Sequence, residues 1–150
     1  MVDESDRLDI TKELKFPNLA NTKYNVTSPE SRIYNCFAWA AGEGDRWWDP
    51  IDPDGYWPEN VPREQTIEAA IQAYQTLGYK CCASDRLESG YEKIALYATI
   101  EGELQHAARQ LPDGNWTSKL GKWEDISHEL KGLENPRFYG SVTQILSRKI

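Results

Sequence analysis

The stretch LQHAARQLPDGNWTSKL, residues 104–120, decides the fold because it is typical of two short strands joined by a tight turn. Pro112-Asp113-Gly114 near its centre is a strong hairpin signal. A three-residue loop at this point puts Ser118 on the same sheet face as His106. A two-residue loop would put Lys119 there instead, so the register of this hairpin decides which polar side chain lies beside the histidine.

The flanking segments extend the hairpin into an α+β domain. Their patterns predict strands over residues 79–83, 93–99, 104–111 and 115–120. Helical spacing of apolar residues predicts a main helix that starts at Pro62 and ends at Gly78. Further helices are predicted over residues 124–133 and 141–149. We therefore expect N-terminal helices packed on a small antiparallel sheet.

The chain length predicts one domain preceded by an arm. The 150 residues fit a single domain, which we place at residues 31–150. Residues 1–30 are the longest polar stretch and are expected to form an extended N-terminal arm. Phe16, Leu19 and Tyr24 are the apolar residues available to anchor that arm to the domain.

Composition and charge exclude several functional classes. The net charge of -7, without a block of basic residues, opposes binding to nucleic acid. No apolar run approaches the roughly 20 residues that span a bilayer, so no membrane partner is expected. The N-terminus is acidic and lacks the apolar region of a signal peptide, which predicts a cytoplasmic protein.

The cysteines predict neither a disulfide framework nor a metal site. Cys36, Cys81 and Cys82 are odd in number, and adjacent cysteines rarely bridge each other. No pair of cysteines or histidines has ligand spacing such as C-x₂-C. We therefore expect reduced thiols, no metal and no cofactor.

Cys36 is the first candidate for chemistry. The segment NCFAWAAG, residues 35–42, predicts a short apolar helix with this cysteine in its first turn. Unpaired N–H groups and the positive end of a helix dipole favour a thiolate there. The alternative is that Cys36 is a small buried residue of the core, since free cysteine is commonly buried.

His106 supplies the base that a nucleophilic thiol requires. It lies in a predicted strand beside small residues, which leaves room for another group to approach its ring. A third group must orient the imidazole, and Ser118 is the first candidate with Lys119 as the alternative. His128 is the competing histidine, but its polar, acidic surroundings predict an exposed position on a helix.

This order of residues resembles the papain-like cysteine hydrolases of the NlpC/P60 type. In that family a cysteine opens a helix, a histidine begins a later strand and a polar residue lies on the next strand. The resemblance implies a papain-like fold with Cys36 as nucleophile and His106 as base. It puts Ser118 where that family usually has His, Asn or Gln. It also implies that Tyr34, two residues before the cysteine, helps to hold an oxyanion.

Several short motifs also resemble an uncharacterised bacterial domain family, across the chain from about residue 34 to its end. The motifs are Asn35-Cys36-Phe37-Ala38-Trp39-Ala40-Ala41-Gly42, Trp47-Trp48-Asp49-Pro50, His106-Ala107-Ala108-Arg109-Gln110, Trp116-Thr117-Ser118-Lys119-Leu120-Gly121 and Tyr139-Gly140.

Residues 43–62 are expected to form an irregular but ordered loop, which we call the aromatic loop. Pro, Gly and Asp are mixed there with large aromatic residues. The loop either walls a substrate cleft or closes the end of a small core. In the first case Trp47, Trp48 and Trp57 bind substrate. Lys119 is a further candidate for contact with a substrate carboxylate.

These residues together predict a cysteine hydrolase or acyltransferase. Its substrate would be an amide or thioester, either peptide-like or a small acyl compound. The alternative is a non-catalytic binding or interaction domain that retains a papain-like shell, which the aromatic loop and the acidic surface favour.

Overall fold

The hairpin predicted at residues 104–120 forms, and it lies inside a seven-stranded antiparallel sheet. The computed structural model describes residues 7–150. In chain order its elements are α1 (Ile10–Glu13), a 3-10 helix (Pro17–Asn21), β1 (Tyr24–Ser28), α2 (Cys36–Ala40), α3 (Ile67–Gln75), β2 (Lys80–Cys82), β3 (Tyr91–Ala98), β4 (Leu104–Gln110), β5 (Trp116–Lys119), β6 (Asp125–His128), a second 3-10 helix (Leu130–Leu133) and β7 (Ser141–Lys149). The predicted α+β class is therefore confirmed.

The strands are ordered β1-β6-β5-β4-β3-β7-β2 across the sheet. In the hairpin of β4 and β5, Arg109 lies opposite Thr117 and Gln110 opposite Trp116, which is the register of a three-residue loop. Ser118 consequently shares the sheet face of His106. The paired part of β4 and β5 covers these two residue pairs, so the two strands separate toward His106.

Two apolar clusters cover the two faces of the sheet, because successive side chains of a strand point to opposite sides. On the first, Leu96 and Ala107 pack with α2, α3 and the aromatic loop. We call this side the helix-covered face. On the second, Tyr97, Ala108 and Ile126 pack with the N-terminal arm, and we call it the arm-covered face.

Helix α3 forms where the sequence predicts the main helix, but it begins later. Its N-cap is Thr66, whose side chain accepts a hydrogen bond from the Ala69 N–H at 3.1 Å. The predicted start at Pro62 is wrong. The Thr66 hydroxyl accepts a hydrogen bond from an N–H of the first turn, whereas a proline side chain has no acceptor. At the other end Gly78 has φ +93°, in the region that favours glycine after a helix.

Two predicted helices are strands. Residues 124–133 form β6 and a 3-10 helix, and residues 141–149 form β7, which lies between β3 and β2. The apolar residues of β7 recur at helical spacing, but pairing with strands on both sides supplies its backbone with partners. Tertiary pairing therefore overrides the local pattern here.

The described part of the arm packs tightly. Phe16, Leu19 and Tyr24 are buried, as predicted for anchors. The sequence predicts an extended arm, whereas its described part contains α1, a 3-10 helix and the edge strand β1. Strand β1 pairs with β6. The predicted arm also includes residues 1–6, which lie outside the described residues.

Candidate functional site

Cys36 is the first residue of α2, at the position that the sequence predicts. The N-cap is Asn35, whose side-chain oxygen accepts hydrogen bonds from the N–H groups of Ala38 and Trp48, both at 3.2 Å. Its amide nitrogen donates to the Trp48 carbonyl at 2.6 Å. Asn35 therefore fixes the start of the helix and ties it to the aromatic loop.

The Cys36 thiol is buried, with 7% of the residue exposed. Burial raises its pKa to about 12, although main-chain hydrogen bonds from Ala107, Phe37 and Cys36 itself and the charge of Lys119 act in the opposite direction. In this conformation the raised pKa favours the neutral thiol, because a five-residue helix does not offset the loss of solvent. The bond from the Ala107 main chain places the sulfur against β4, but no hydrogen bond joins it to the ring of His106, the preceding residue.

His106 lies on the arm-covered face, where it is completely buried. Its Nε2 is 2.9 Å from the Ser118 hydroxyl, and its ring stacks on Tyr139 with centroids 4.1 Å apart. Burial, together with the charge of His128, lowers the pKa of His106 well below its usual value. Among the described residues its buried Nδ1 has no hydrogen-bond partner.

His128 is a second buried imidazole in the same network. The Ser118 hydroxyl lies 2.7 Å from its Nε2, and its Nδ1 lies 2.8 Å from the Glu129 carbonyl. The predicted exposed position on a helix is wrong, since this residue ends β6 and pairs with Trp116. Burial lowers the pKa of His128 to about 4. The sequence held one signal for a strand here. Gly121 lies between β5 and β6 and has φ +62°, which is typical of glycine in a turn.

Lys119 and Tyr34 lie apart from the histidines. The Lys119 ammonium is buried and donates to the carbonyls of Ser31 at 2.8 Å and Gly121 at 2.7 Å. The Tyr34 hydroxyl donates to the Asp125 carboxylate at 3.0 Å. Burial, and to a smaller extent this hydrogen bond, raises the pKa of Tyr34 to about 12. Lys119 lies on the opposite sheet face from His106, so it does not orient that ring.

The aromatic loop contributes to the core on the helix-covered face. Trp48 is 1% exposed and stacks on Tyr74 with centroids 5.7 Å apart. Trp57 is also buried, and its indole N–H donates to the Pro62 carbonyl at 3.0 Å. Trp47 is half-buried. Of the two readings of this loop, closure of the core describes Trp48 and Trp57, whose rings pack inward.

The surface clefts do not coincide with the cysteine. One cleft of about 510 Å³ is lined by residues 87–92 and 109–112 together with Ile150. Another of about 500 Å³ is lined by Asp85, residues 114–116, 129–131, Glu134 and Val142. Neither includes Cys36 or His106, so in this conformation both side chains are covered.

Within residues 7–150, no helix combines the length and the apolar character needed to cross a membrane. In the same part of the chain, no three His, Cys, Asp or Glu side chains come together as a metal site.

Comparison with protein families matches residues 25–147 to a family described as "Domain of unknown function (DUF7689)". No curated protein and no solved structure matches the chain. The resemblance to NlpC/P60 hydrolases therefore depends on the residues quoted above. Since the match covers most of the 150 residues, the chain belongs to the DUF7689 family of domains of unknown function.

Proposed function

We propose that this protein is a cysteine hydrolase or acyltransferase that uses Cys36 as nucleophile and His106 as base on an amide or thioester. One observation carries the proposal. The sulfur accepts a hydrogen bond from the main chain of Ala107, and His106, the residue before it on β4, has a buried ring nitrogen without a partner among the described residues. A buried acceptor left unpaired costs about 1–3 kcal/mol, and such costs are commonly retained at functional sites.

The chemistry follows from these groups. His106 Nδ1 takes the thiol proton as the sulfur attacks the carbonyl carbon, and the N–H groups that face the sulfur are suited to hold the resulting oxyanion. The leaving amine or thiol takes that proton from the imidazolium. Water, activated by the same nitrogen, then hydrolyses the acyl-cysteine, or another nucleophile accepts the acyl group. Ser118 holds the other side of the His106 ring.

The conformation described here is a closed state in this proposal. The Tyr139 ring covers His106, and burial keeps the thiol protonated. Tyr139 belongs to a turn between Asn135 and Gly140, whose N–H donates to the Asn135 carbonyl at 2.8 Å. Movement of this turn would uncover the imidazole. Tyr139→Ala is therefore expected to increase the rate at which Cys36 is acylated.

A burst assay with p-nitrophenyl acetate tests the proposal. The protein carrying Cys81→Ser and Cys82→Ser retains Cys36 as its sole thiol. It is expected to release about one equivalent of nitrophenolate and to gain one acetyl group on Cys36, located by mass spectrometry. His106→Ala should slow the release by about 100-fold or more, because general-base catalysis contributes that much.

Ser127→Ala is the matched control, since Ser127 lies on β6 but its alternation puts it on the opposite face from His128. It should leave the burst unchanged. Release equal to that of a folded Cys36→Ala protein would contradict the proposal.

A non-catalytic binding domain is the second candidate. It is favoured by the high pKa of Cys36 and the low pKa of His106, which leave both groups neutral. In that case Cys36→Ala should leave the biological phenotype intact. Loss of the phenotype in a folded Cys36→Ala protein would count against a purely binding role.

A further inference from the structure

A buried chain of hydrogen bonds joins the two imidazoles of this protein. It runs from His106 Nε2 to the Ser118 hydroxyl over 2.9 Å, and from that hydroxyl to His128 Nε2 over 2.7 Å. It ends where His128 Nδ1 meets the Glu129 carbonyl at 2.8 Å. All three side chains are at most 1% exposed, so solvent does not compete for these bonds.

The Glu129 carbonyl, at one end of these hydrogen bonds, determines where the protons of the network lie. A carbonyl oxygen accepts and never donates, so His128 Nδ1 carries a hydrogen. Burial keeps that ring neutral, and its Nε2 is therefore an acceptor. Ser118 has one hydroxyl hydrogen, which it donates to His128. Its oxygen then accepts from His106 Nε2–H, and His106 Nδ1 is left without a hydrogen.

We propose that His128 is a positioning residue that acts through Ser118 to hold His106 in the tautomer with its proton on Nε2 and its lone pair on Nδ1. The use of that lone pair as the base for Cys36 rests on the proposed function, whereas the tautomer itself does not. His128 acts on a ring that it does not touch. The resemblance to NlpC/P60 hydrolases puts Ser118 where that family usually has His, Asn or Gln. In this protein Ser118 bridges the two imidazoles, and His128, the group that sets the tautomer, lies one strand further away.

Nitrogen NMR of the ¹⁵N-histidine-labelled full chain tests this directly, because the chain has two histidines. Ring nitrogens with and without a hydrogen have well-separated shifts. At neutral pH the two rings are expected in opposite tautomers, with His128 protonated on Nδ1 and His106 on Nε2. Two rings in the same tautomer, or His106 protonated on Nδ1, would overturn the inference.

Two substitutions of His128 separate positioning from packing. In His128→Gln the amide oxygen can still accept from Ser118, and His106 should keep its proton on Nε2. In His128→Phe no acceptor remains, so the hydroxyl is free to donate to His106 and a population with the proton on Nδ1 should appear. An unchanged His106 spectrum in His128→Phe would overturn the inference. Ser127→Ala is the control and should leave both rings unchanged.

The burst assay distinguishes the two proposals. If Cys36 is the nucleophile, His128→Phe should lower the burst rate about 10-fold, the scale found when a metal-ligating histidine loses its outer hydrogen-bond partner, and His128→Gln should restore it. Opposite tautomers without a burst would support the role of His128 and refute the proposed enzymatic function of Cys36. A burst that requires His106, with both rings in the same tautomer, would do the reverse.

Discussion

The two faces of the sheet are built differently although the same strands form both. On the helix-covered face the core is aromatic and aliphatic, and the buried polar groups beside it are paired. The Lys119 ammonium donates to two carbonyls, the Asp125 carboxylate accepts from a tyrosine hydroxyl, and Thr117 accepts from the Trp39 indole N–H at 2.9 Å. On the arm-covered face two imidazoles and a hydroxyl lie in the interior itself. The first face is a packed core, whereas the second retains an acceptor with no partner among the described residues. Packing explains the first, and the second calls for a functional explanation.

The largest expected effect is on the helix-covered face. Trp48→Ala removes a ring that is 1% exposed and stacked on Tyr74, and should lower the free energy of unfolding by about 3–5 kcal/mol. Urea denaturation measures the loss. Trp47→Ala removes a half-buried ring from the same loop and is the matched control. Equal losses for the two would show that Trp48 is not a core residue.

The next effect is pH-dependent and belongs to the arm-covered face. Burial lowers the pKa of His128 from 6.5 to about 4, so between these values the unfolded chain binds more protons than the folded one. Stability is therefore fully present above pH 6.5 and is lost as the pH falls toward 4. Between pH 7 and pH 4.5 this group should cost about 2–3 kcal/mol.

His128→Gln cannot take up this proton and should show a correspondingly smaller loss over the same interval. Carboxylates titrate in both proteins and cancel from the difference. Urea denaturation at the two pH values measures it, and identical losses in the two proteins would contradict the assignment.

A smaller effect compares adjacent residues of β5 on opposite faces. Ser118→Ala leaves Nε2 of both histidines without a partner and should cost about 2 kcal/mol. Thr117→Val removes one acceptor, from the half-buried Trp39, and should cost about 1 kcal/mol. Urea denaturation at neutral pH ranks the two. The reverse order would mean that the polar network is not the more demanding side of the sheet.

Local signals predicted the hairpin well. Pro112-Asp113-Gly114 predicted the hairpin with two possible registers, and the three-residue loop that forms places Ser118 beside His106. The segment of residues 35–42 also indicated where α2 begins. These predictions succeed because turns and caps depend on neighbours a few residues away. The same reasoning failed for β7, whose helical pattern is overridden by two partner strands that lie far away in the sequence.

His128 illustrates the limit for the site. Its acidic neighbours predict exposure, but β6 pairs with β1 and β5 and turns the ring into the interior. The pKa of Cys36 has the same origin, since the position in a first turn favours a thiolate and the covering residues reverse it.

The sequence by itself determined which residues carry reactive groups, the start of the helix at Cys36 and a hairpin that puts either Ser118 or Lys119 beside His106. The tertiary structure decided that Ser118 is the residue beside His106, that His128 completes the network, that Trp48 belongs to the core and that burial raises the pKa of the Cys36 thiol. The physical reason is range. Caps and turns act through adjacent residues, whereas burial and strand pairing depend on segments brought together from the whole chain.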